Sequence, residues 1–380
     1  MYKNNLFALL AAILILPLLV AGQLPDSTQQ RQWKEKFHFT VVKDNPATSV
    51  KDQASSGTCW DYAGVSFVES EMIRMGKKPV DLAEMYVVYR TYQEKAQKYV
   101  RLHGNATFSP GGEGTDVLDV IRRYGIVPQQ AYPGLPEGET RDNHKDLDRE
   151  LSAYVKDVVA SKTIRGDWKK GFDGILSRYL GHIPAEFSFE GKKYDPRSFA
   201  DKVVGIHPED YLYLTSWTDE PYYEKVHLLV PDNWSWEKYY NIPLDEMIRT
   251  LDYALENGYT AIWAADMTEK GFSVPLGIVI VPETEDSLMF DGPKPEKQIT
   301  EQMRQKAFDD YSTVDDHSMH ITGIAKDANG KKYYIIKNSW GTNRGFDGIY
   351  YVSEAYMRYK TISLILNKGG VPPAILKKLK

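Results

Sequence analysis

The segment Gln53-Ala54-Ser55-Ser56-Gly57-Thr58-Cys59-Trp60 sets a thiol after a loop of small and polar residues, where a stretch with helical spacing begins. A thiol attacks as thiolate, and its ordinary pKa of about 8.5 has to fall for work near neutral pH. The partial positive charge of a helix N-terminus favours the anion. A histidine within hydrogen-bond reach can take the proton and later give it to a leaving amine. Gln53 carries a side-chain N–H that a loop can aim at the same point as the Cys59 backbone N–H, and two such donors form an oxyanion hole. The histidine has to come from far along the chain. His317 and His320 lie in the strand-like run Asp315-Asp316-His317-Ser318-Met319-His320-Ile321-Thr322-Gly323. In an extended chain they point to opposite faces, so they do not both face one cleft. His317 is the candidate and His320 the alternative; as a metal pair they would need a helix and further ligands. Asn338, in Asn338-Ser339-Trp340-Gly341, can accept the second imidazole N–H and fix tautomer and orientation.

The surrounding periodicities say what positions these groups. Trp60, Ala63, Phe67, Met72 and Ile73 recur at nearly helical spacing until Gly76, so Cys59 sits at a helix N-terminus. A second helix is expected over 81–102. The turn Ser109-Pro110-Gly111-Gly112-Glu113-Gly114 leads to a third over 115–124, capped by Thr115 or Asp116 and ended by Gly125. Residues 141–170 read as solvated helix, 183–230 as short strands, 244–257 as an amphipathic helix and 259–264 as a buried strand. Strands close the chain at 317–324, 332–338, 348–352 and 361–367. Helix-rich first and strand-rich last is an α+β order, not the alternation of a parallel sheet.

With these motifs in this order the chain resembles the papain-like cysteine peptidases, and most closely their bleomycin hydrolase and aminopeptidase C branch. The resemblance rests on Gln53 to Trp60, on Asp316-His317 with Gly323, and on Asn338-Ser339-Trp340-Gly341-Thr342 with Gly345 and Gly348. Arg123-Tyr124-Gly125-Ile126-Val127-Pro128, Pro184-Ala185-Glu186-Phe187 and Val371-Pro372 carry it toward that branch. It implies a papain-like two-lobed α+β fold, with a helical lobe over 45–140, a β-rich lobe over 246–367 and a short tail over 368–380. Cys59 would be the nucleophile, His317 the base and acid, Asn338 its orienter and Gln53 the oxyanion donor, with a thiolate–imidazolium pair at rest. Trp340 would shield the Asn338–His317 bond, and Gly111 and Gly112 would pair their backbone with an extended substrate.

The chain also departs from the secreted papain pattern. Ser56-Gly57-Thr58-Cys59 lacks the neighbouring cysteine, and Cys59 lies much further from His317 than the roughly 130–150 residues of that signature. An insertion over 141–245 accounts for the difference. The arm before Thr48 is short for an inhibitory propeptide. In the aminopeptidase branch a terminal carboxyl group in the cleft holds the substrate's free amine. Here the sequence ends on Leu376-Lys377-Lys378-Leu379-Lys380, and a cationic tail would repel that ammonium. Hydrolysis through a Cys59 thioester, aminopeptidase C-like, is the expectation. An endopeptidase with an open cleft is the alternative within the class; a non-catalytic peptide-binding relative and an acyltransferase are the alternatives outside it.

Composition sets the remaining bounds. With 42% hydrophobic and 26% charged residues the chain is neither disordered nor a polytopic membrane protein. The balance of 47 Lys+Arg against 52 Asp+Glu has no basic cluster, so no nucleic-acid partner is expected. One cysteine excludes an internal disulfide and a multi-thiolate zinc site. No cofactor or metal is implied, peptides are the expected partners, and a homo-oligomer stays open. Lys3, the apolar run Leu6 to Val20 with Pro17, and Ala21-Gly22 form a secretory signal layout. Cleavage after Gly22 would leave a mature chain from residue 23, periplasmic or extracellular and without stable membrane association; a retained anchor is the alternative. Asn105-Ala106-Thr107 and Asn233-Trp234-Ser235 match the glycosylation sequon.

Overall fold

In chain order the elements are α1 (Ser27–Phe37), β1 (Thr40–Asp44), α2 (Cys59–Arg74), α3 (Glu84–Arg101), α4 (Gly114–Tyr124), α5 (Lys145–Ala160), α6 (Trp168–Leu180), β2 (Phe187–Phe189), β3 (Lys192–Tyr194), α7 (Pro196–Phe199), β4 (Tyr211–Thr215), β5 (Lys225–His227), β6 (Lys238–Asn241), α8 (Leu244–Glu256), β7 (Ala261–Ala265), β8 (Phe272–Ser273), β9 (Ile278–Val279), α9 (Glu301–Asp309), β10 (His317–Lys326), β11 (Lys332–Lys337), β12 (Ile349–Ser353), α10 (Glu354–Lys360), β13 (Thr361–Asn367) and α11 (Pro373–Leu376). The computed structural model describes residues 27–380 apart from 137, 162 and 165. The signal segment expected over 1–22 lies outside the described residues.

Helices α2 to α6 share one apolar core, in which Val65, Phe67, Leu118, Leu151 and Leu176 are buried together. α2 carries apolar residues nearly all round, as a helix covered on every side does. It lies between this core and the sheet, with Phe67 set edge-on to His320 of β10. Among the described residues the sheet has 11 strands, in the order β5-β6-β4-β13-β7-β10-β11-β12-β9-β8, with β1 added alongside β10. β10 is central. It pairs antiparallel with β7, His317 opposite Ala265 and Met319 opposite Trp263, and with β11, His320 opposite Lys337. The register slips between Ile321 and Gly323. At Gly323 a side chain would collide with the Lys43 carbonyl of β1, so only glycine fits there. α8 closes one face of the sheet through Met247, Ile248, Leu251 and Leu255.

Several elements differ from the sequence reading for identifiable reasons. The arm before residue 37 is a helix, α1, which buries Trp33 and Phe37 against Leu276, Phe290 and Tyr333. A single inward stripe this narrow carries little periodic signal. α4 begins at Gly114 and is capped by Glu113, whose side chain accepts from the N3 backbone while Asp116 accepts from the Glu113 backbone. Within 183–230 the strand reading meets β2, β3, β4 and β5, but residues 196–204 are helical. The basic end of the chain packs on the sheet lobe. Lys378 Nζ donates to Glu246 Oε1 at 2.6 Å, the Lys380 backbone N–H donates to the Tyr223 carbonyl at 3.1 Å, and Lys380 pairs with Glu224 at 3.0 Å. These acidic partners, not the cleft, receive the terminal lysines.

Candidate active site

Cys59 opens α2 and is partly exposed. The first backbone N–H groups of a helix lack intrahelical acceptors, so the N–H groups at Cys59 and Trp60 are free to point at the sulfur or at a ligand beside it. The Ser318 backbone N–H, one residue after His317, donates to the Cys59 sulfur, and so does that of Trp60. The start of β10 is thereby brought to the start of α2.

His317 is buried and stacks on Trp340, with ring centres 4.5 Å apart. Its Nε2 lies 2.9 Å from Asn338 Oδ1. The same Asn338 oxygen accepts the Ser339 backbone N–H at 2.8 Å, which identifies it as the carbonyl oxygen. His317 Nε2 must then carry the proton, and Nδ1 is left as the basic nitrogen. Gln53 is buried, and Ser339 Oγ donates to its Oε1 at 2.6 Å. This turns the Gln53 amide so that its N–H pair is the free end. The Gln53 backbone N–H donates to the Ser339 carbonyl at 2.8 Å, so loop and strand end are tied twice. Ala54, next in line, holds a left-handed φ of 48°, which its Asp52 Oδ1 contact at 2.9 Å helps to fix.

His320 is placed elsewhere. It is fully buried beneath α2, with Nδ1 2.8 Å from Ser66 Oγ, and Ser66 in turn receives Lys337 Nζ at 2.8 Å. The strand alternation read from sequence accounts for this separation of the two histidines.

Burial governs the charges. It pushes the Cys59 thiol up to about 12, and Asp315 and Asp232 nearby act in the same direction. It pushes His317 down to about 4 against the Asn338 bond, which acts upward. Burial thus opposes charge on both groups, and the thiolate–imidazolium pair expected from the sequence would be held by the attraction of its two members for each other. The Trp60 and Ser318 N–H donors lower the thiol, against the larger effect of desolvation.

Gly111 and Gly112 lie against the nucleophile helix. A side chain at Gly112 would come within 2.9 Å of the Trp60 ring, and one at Gly111 would collide with the Asp232 carboxylate. Trp60 Nε1 donates to the Pro110 carbonyl at 3.0 Å, holding this turn beside Cys59. The Gly111 carbonyl is engaged by buried Lys95 Nζ, which also donates to the Ser109 carbonyl at 2.9 Å. Gly111 thus presents less free backbone for an extended ligand than the sequence suggests.

The structure also assembles groups that the motifs alone do not reveal. Ser339 sits inside a quoted motif, but its bond to Gln53 joins two distant segments. Glu113 and Asp315 also flank quoted motif residues; adjacency to Gly111-Gly112 and to His317 was the available signal. Asp232 had none, because it arrives from a loop with no periodic pattern.

Comparisons with known proteins give the family and the fold. A family model described as Peptidase C1-like family matches residues 88–380, the span that includes His317 and Asn338. Aminopeptidase C of Streptococcus thermophilus is 23% identical over 386 residues, covering 90% of this chain and 84% of that protein. Cysteine proteinase 1, mitochondrial, of Saccharomyces cerevisiae is 21% identical, covering 90% and 79%. The crystal structure of PepW from Lactobacillus rhamnosis superposes with a TM-score of 0.72 at 20% identity, covering 92% of this chain and 86% of that one.

Proposed function

The chain belongs to the Peptidase C1-like family, with a papain-like α+β fold, and from that premise we propose that it is an aminopeptidase C-like cysteine peptidase acting through Cys59. The observation that carries this reading is the joint placement of Ser318 N–H on the Cys59 sulfur and of His317 Nε2–H on Asn338, which leaves His317 Nδ1 as the free base.

His317 Nδ1 takes the thiol proton, and the sulfur attacks the scissile carbonyl. The oxyanion is met by the Cys59 N–H and by Gln53 Nε2. His317 then protonates the departing amine, and the carbon–nitrogen bond breaks to leave a thioester on Cys59. Water, deprotonated by the same imidazole, attacks the thioester and releases the acid with the thiol restored. Trp340 covers the His317–Asn338 bond and keeps water from competing for it.

Asp232 lies against Gly111 and acts on the Cys59 thiol, and a carboxylate so near the nucleophile supports removal of N-terminal residues over internal cleavage. The test is peptide digestion followed by mass spectrometry. Stepwise loss of N-terminal residues is expected, and Cys59→Ala should abolish it; fragments cut internally would replace the aminopeptidase reading with the endopeptidase one. Export is part of the proposal on the signal layout of residues 1–22. N-terminal sequencing of the protein from an exported fraction should start at residue 23.

A further inference from the structure

We propose that Asp232 receives the free α-ammonium of the substrate, so that selectivity for peptide N-termini is built into the loop of residues 230–236. This deepens the aminopeptidase reading and rests on it.

The loop is fixed in place. Asn233 is buried, and its side-chain Nδ2 donates to the Leu228 carbonyl at 2.8 Å and to the Glu237 carbonyl at 2.9 Å. That engagement also removes Asn233 from use as a glycosylation acceptor. Trp234 Nε1 donates to Asp116 Oδ2 at 2.8 Å, and Lys98 Nζ lies 3.7 Å from the centre of the Trp236 ring. Between these anchors Asp232 is set against Gly111, the neighbour of Gly112 and hence of Trp60 and Cys59.

The Asp232 carboxylate is uncommitted. No hydrogen bond or ion pair with a described residue closes on it, because Lys95, the cation beside it, donates to the Ser109 and Gly111 carbonyls. Two further acids stand with it. Glu113 is 1% exposed and its Oε1 has no hydrogen-bond partner; Asp315 Oδ2 is likewise enclosed without one. Glu113 and Asp315 face each other, and no N–H or hydroxyl donor reaches these two oxygens. Acids so placed leave a deficit of donors, and a group with three N–H donors and a positive charge is the complement. A substrate's terminal ammonium has that chemistry and is delivered next to the scissile bond.

The arrangement also couples recognition to reactivity. Asp315 and Asp232 help hold the Cys59 thiol neutral. An ammonium seated between them offsets their field and eases the departure of the thiol proton.

The experiment compares one fluorogenic peptide amide with a free and with an acetylated N-terminus, on the wild type, Asp232→Asn and Asp232→Glu. The wild type should prefer the free amine by at least 100-fold in kcat/KM. Asp232→Asn should lower kcat/KM for the free amine by about 10–100-fold, chiefly through KM, and shrink the preference by the same order; Asp232→Glu should restore part of it. Equal losses on both substrates, or an unchanged preference in Asp232→Asn, would overturn the proposal. So would a wild type that cleaves both forms alike, or that accepts the acetylated form once a lysine side chain supplies the cation. A wild type that cleaves neither form would instead remove the peptidase reading on which the proposal stands.

Discussion

Gln53 and Ser339 act as a pair, and the pair makes a graded prediction. Gln53→Ala removes an oxyanion donor and should lower kcat by roughly 10²–10³-fold with KM little changed. Ser339→Ala leaves that donor but frees the amide to turn over, so a smaller fall in kcat of about tenfold is expected, with Ser339→Thr restoring most of it. Steady-state kinetics on the three variants distinguish a positioning role from a purely structural one, which would move thermal stability without splitting kcat from KM. The two histidines should part in the same assay. His317→Ala should abolish turnover, while His320→Ala should keep it and lose stability, since it vacates a fully buried site and strands Ser66. Reversed outcomes would assign the base to His320. A third histidine gives a pH signature. His144 is buried below the nucleophile loop, its backbone N–H on the Ser55 carbonyl at 3.2 Å, and burial pushes its pKa down to about 4. The unfolded chain protonates this group first as pH falls. Its contribution is therefore present above about pH 6.5 and is lost on descent to about 4. His144→Leu should reduce the stability lost across that window by up to roughly 3 kcal/mol, read from urea unfolding at the two pH values.

At the level of elements, legibility followed the strength of the repeating signal. α3 and α8 are apolar in step with the helical period, β11 and β13 are short apolar runs, and the sequence placed each of them, with α2 and β10, within a few residues. The nucleophile helix was legible even at its first residue, because small and polar residues stop where Trp60 and Ala63 begin the apolar pattern. α1 was not, since Trp33 and Phe37 are its only buried residues. That helix yields its own prediction. Trp33→Ala removes a buried ring at the α1 contact with Phe290 and should cost about 3–5 kcal/mol. Calorimetry should show the loss as a lowered melting temperature while peptide cleavage at moderate temperature persists, because the Trp33 ring packs with Leu276, Phe290 and Tyr333 and not with the residues of the active site. The turn before α4 was legible as a turn but not as a contact surface. Its closeness to Asp232 depends on how residues 145–241 fold back, and nothing local in Gly111-Gly112 announces that.

Across the whole molecule the pieces of one chemistry come from both lobes. Cys59 and Trp60 belong to the helical side, whereas His317, Ser318, Asn338, Ser339 and Trp340 belong to the sheet, and Gln53 is held to the latter. Residue types and order made that division readable before any coordinates, since cysteine and histidine fall in segments of different secondary structure. What the order could not supply was the electrostatic setting. The burial that disfavours charge on Cys59 and His317, and the acids gathered from residues 113, 232 and 315, exist only once the lobes meet. The meeting surface joins apolar contacts, Ile262 and Ile365 against the helical core, to polar ones. Lys337 of β11 reaches Ser66 of α2 at 2.8 Å and Thr48 at 3.0 Å, and Lys51, Glu69, Glu84 and Lys337 line a small pocket there. Because α2 rests on β10 across this junction, any loosening of it would draw sulfur away from imidazole. Heat or mild denaturant should then silence the enzyme before either lobe melts, and cooling should revive it, so its working range is set by the seam and not by the cores.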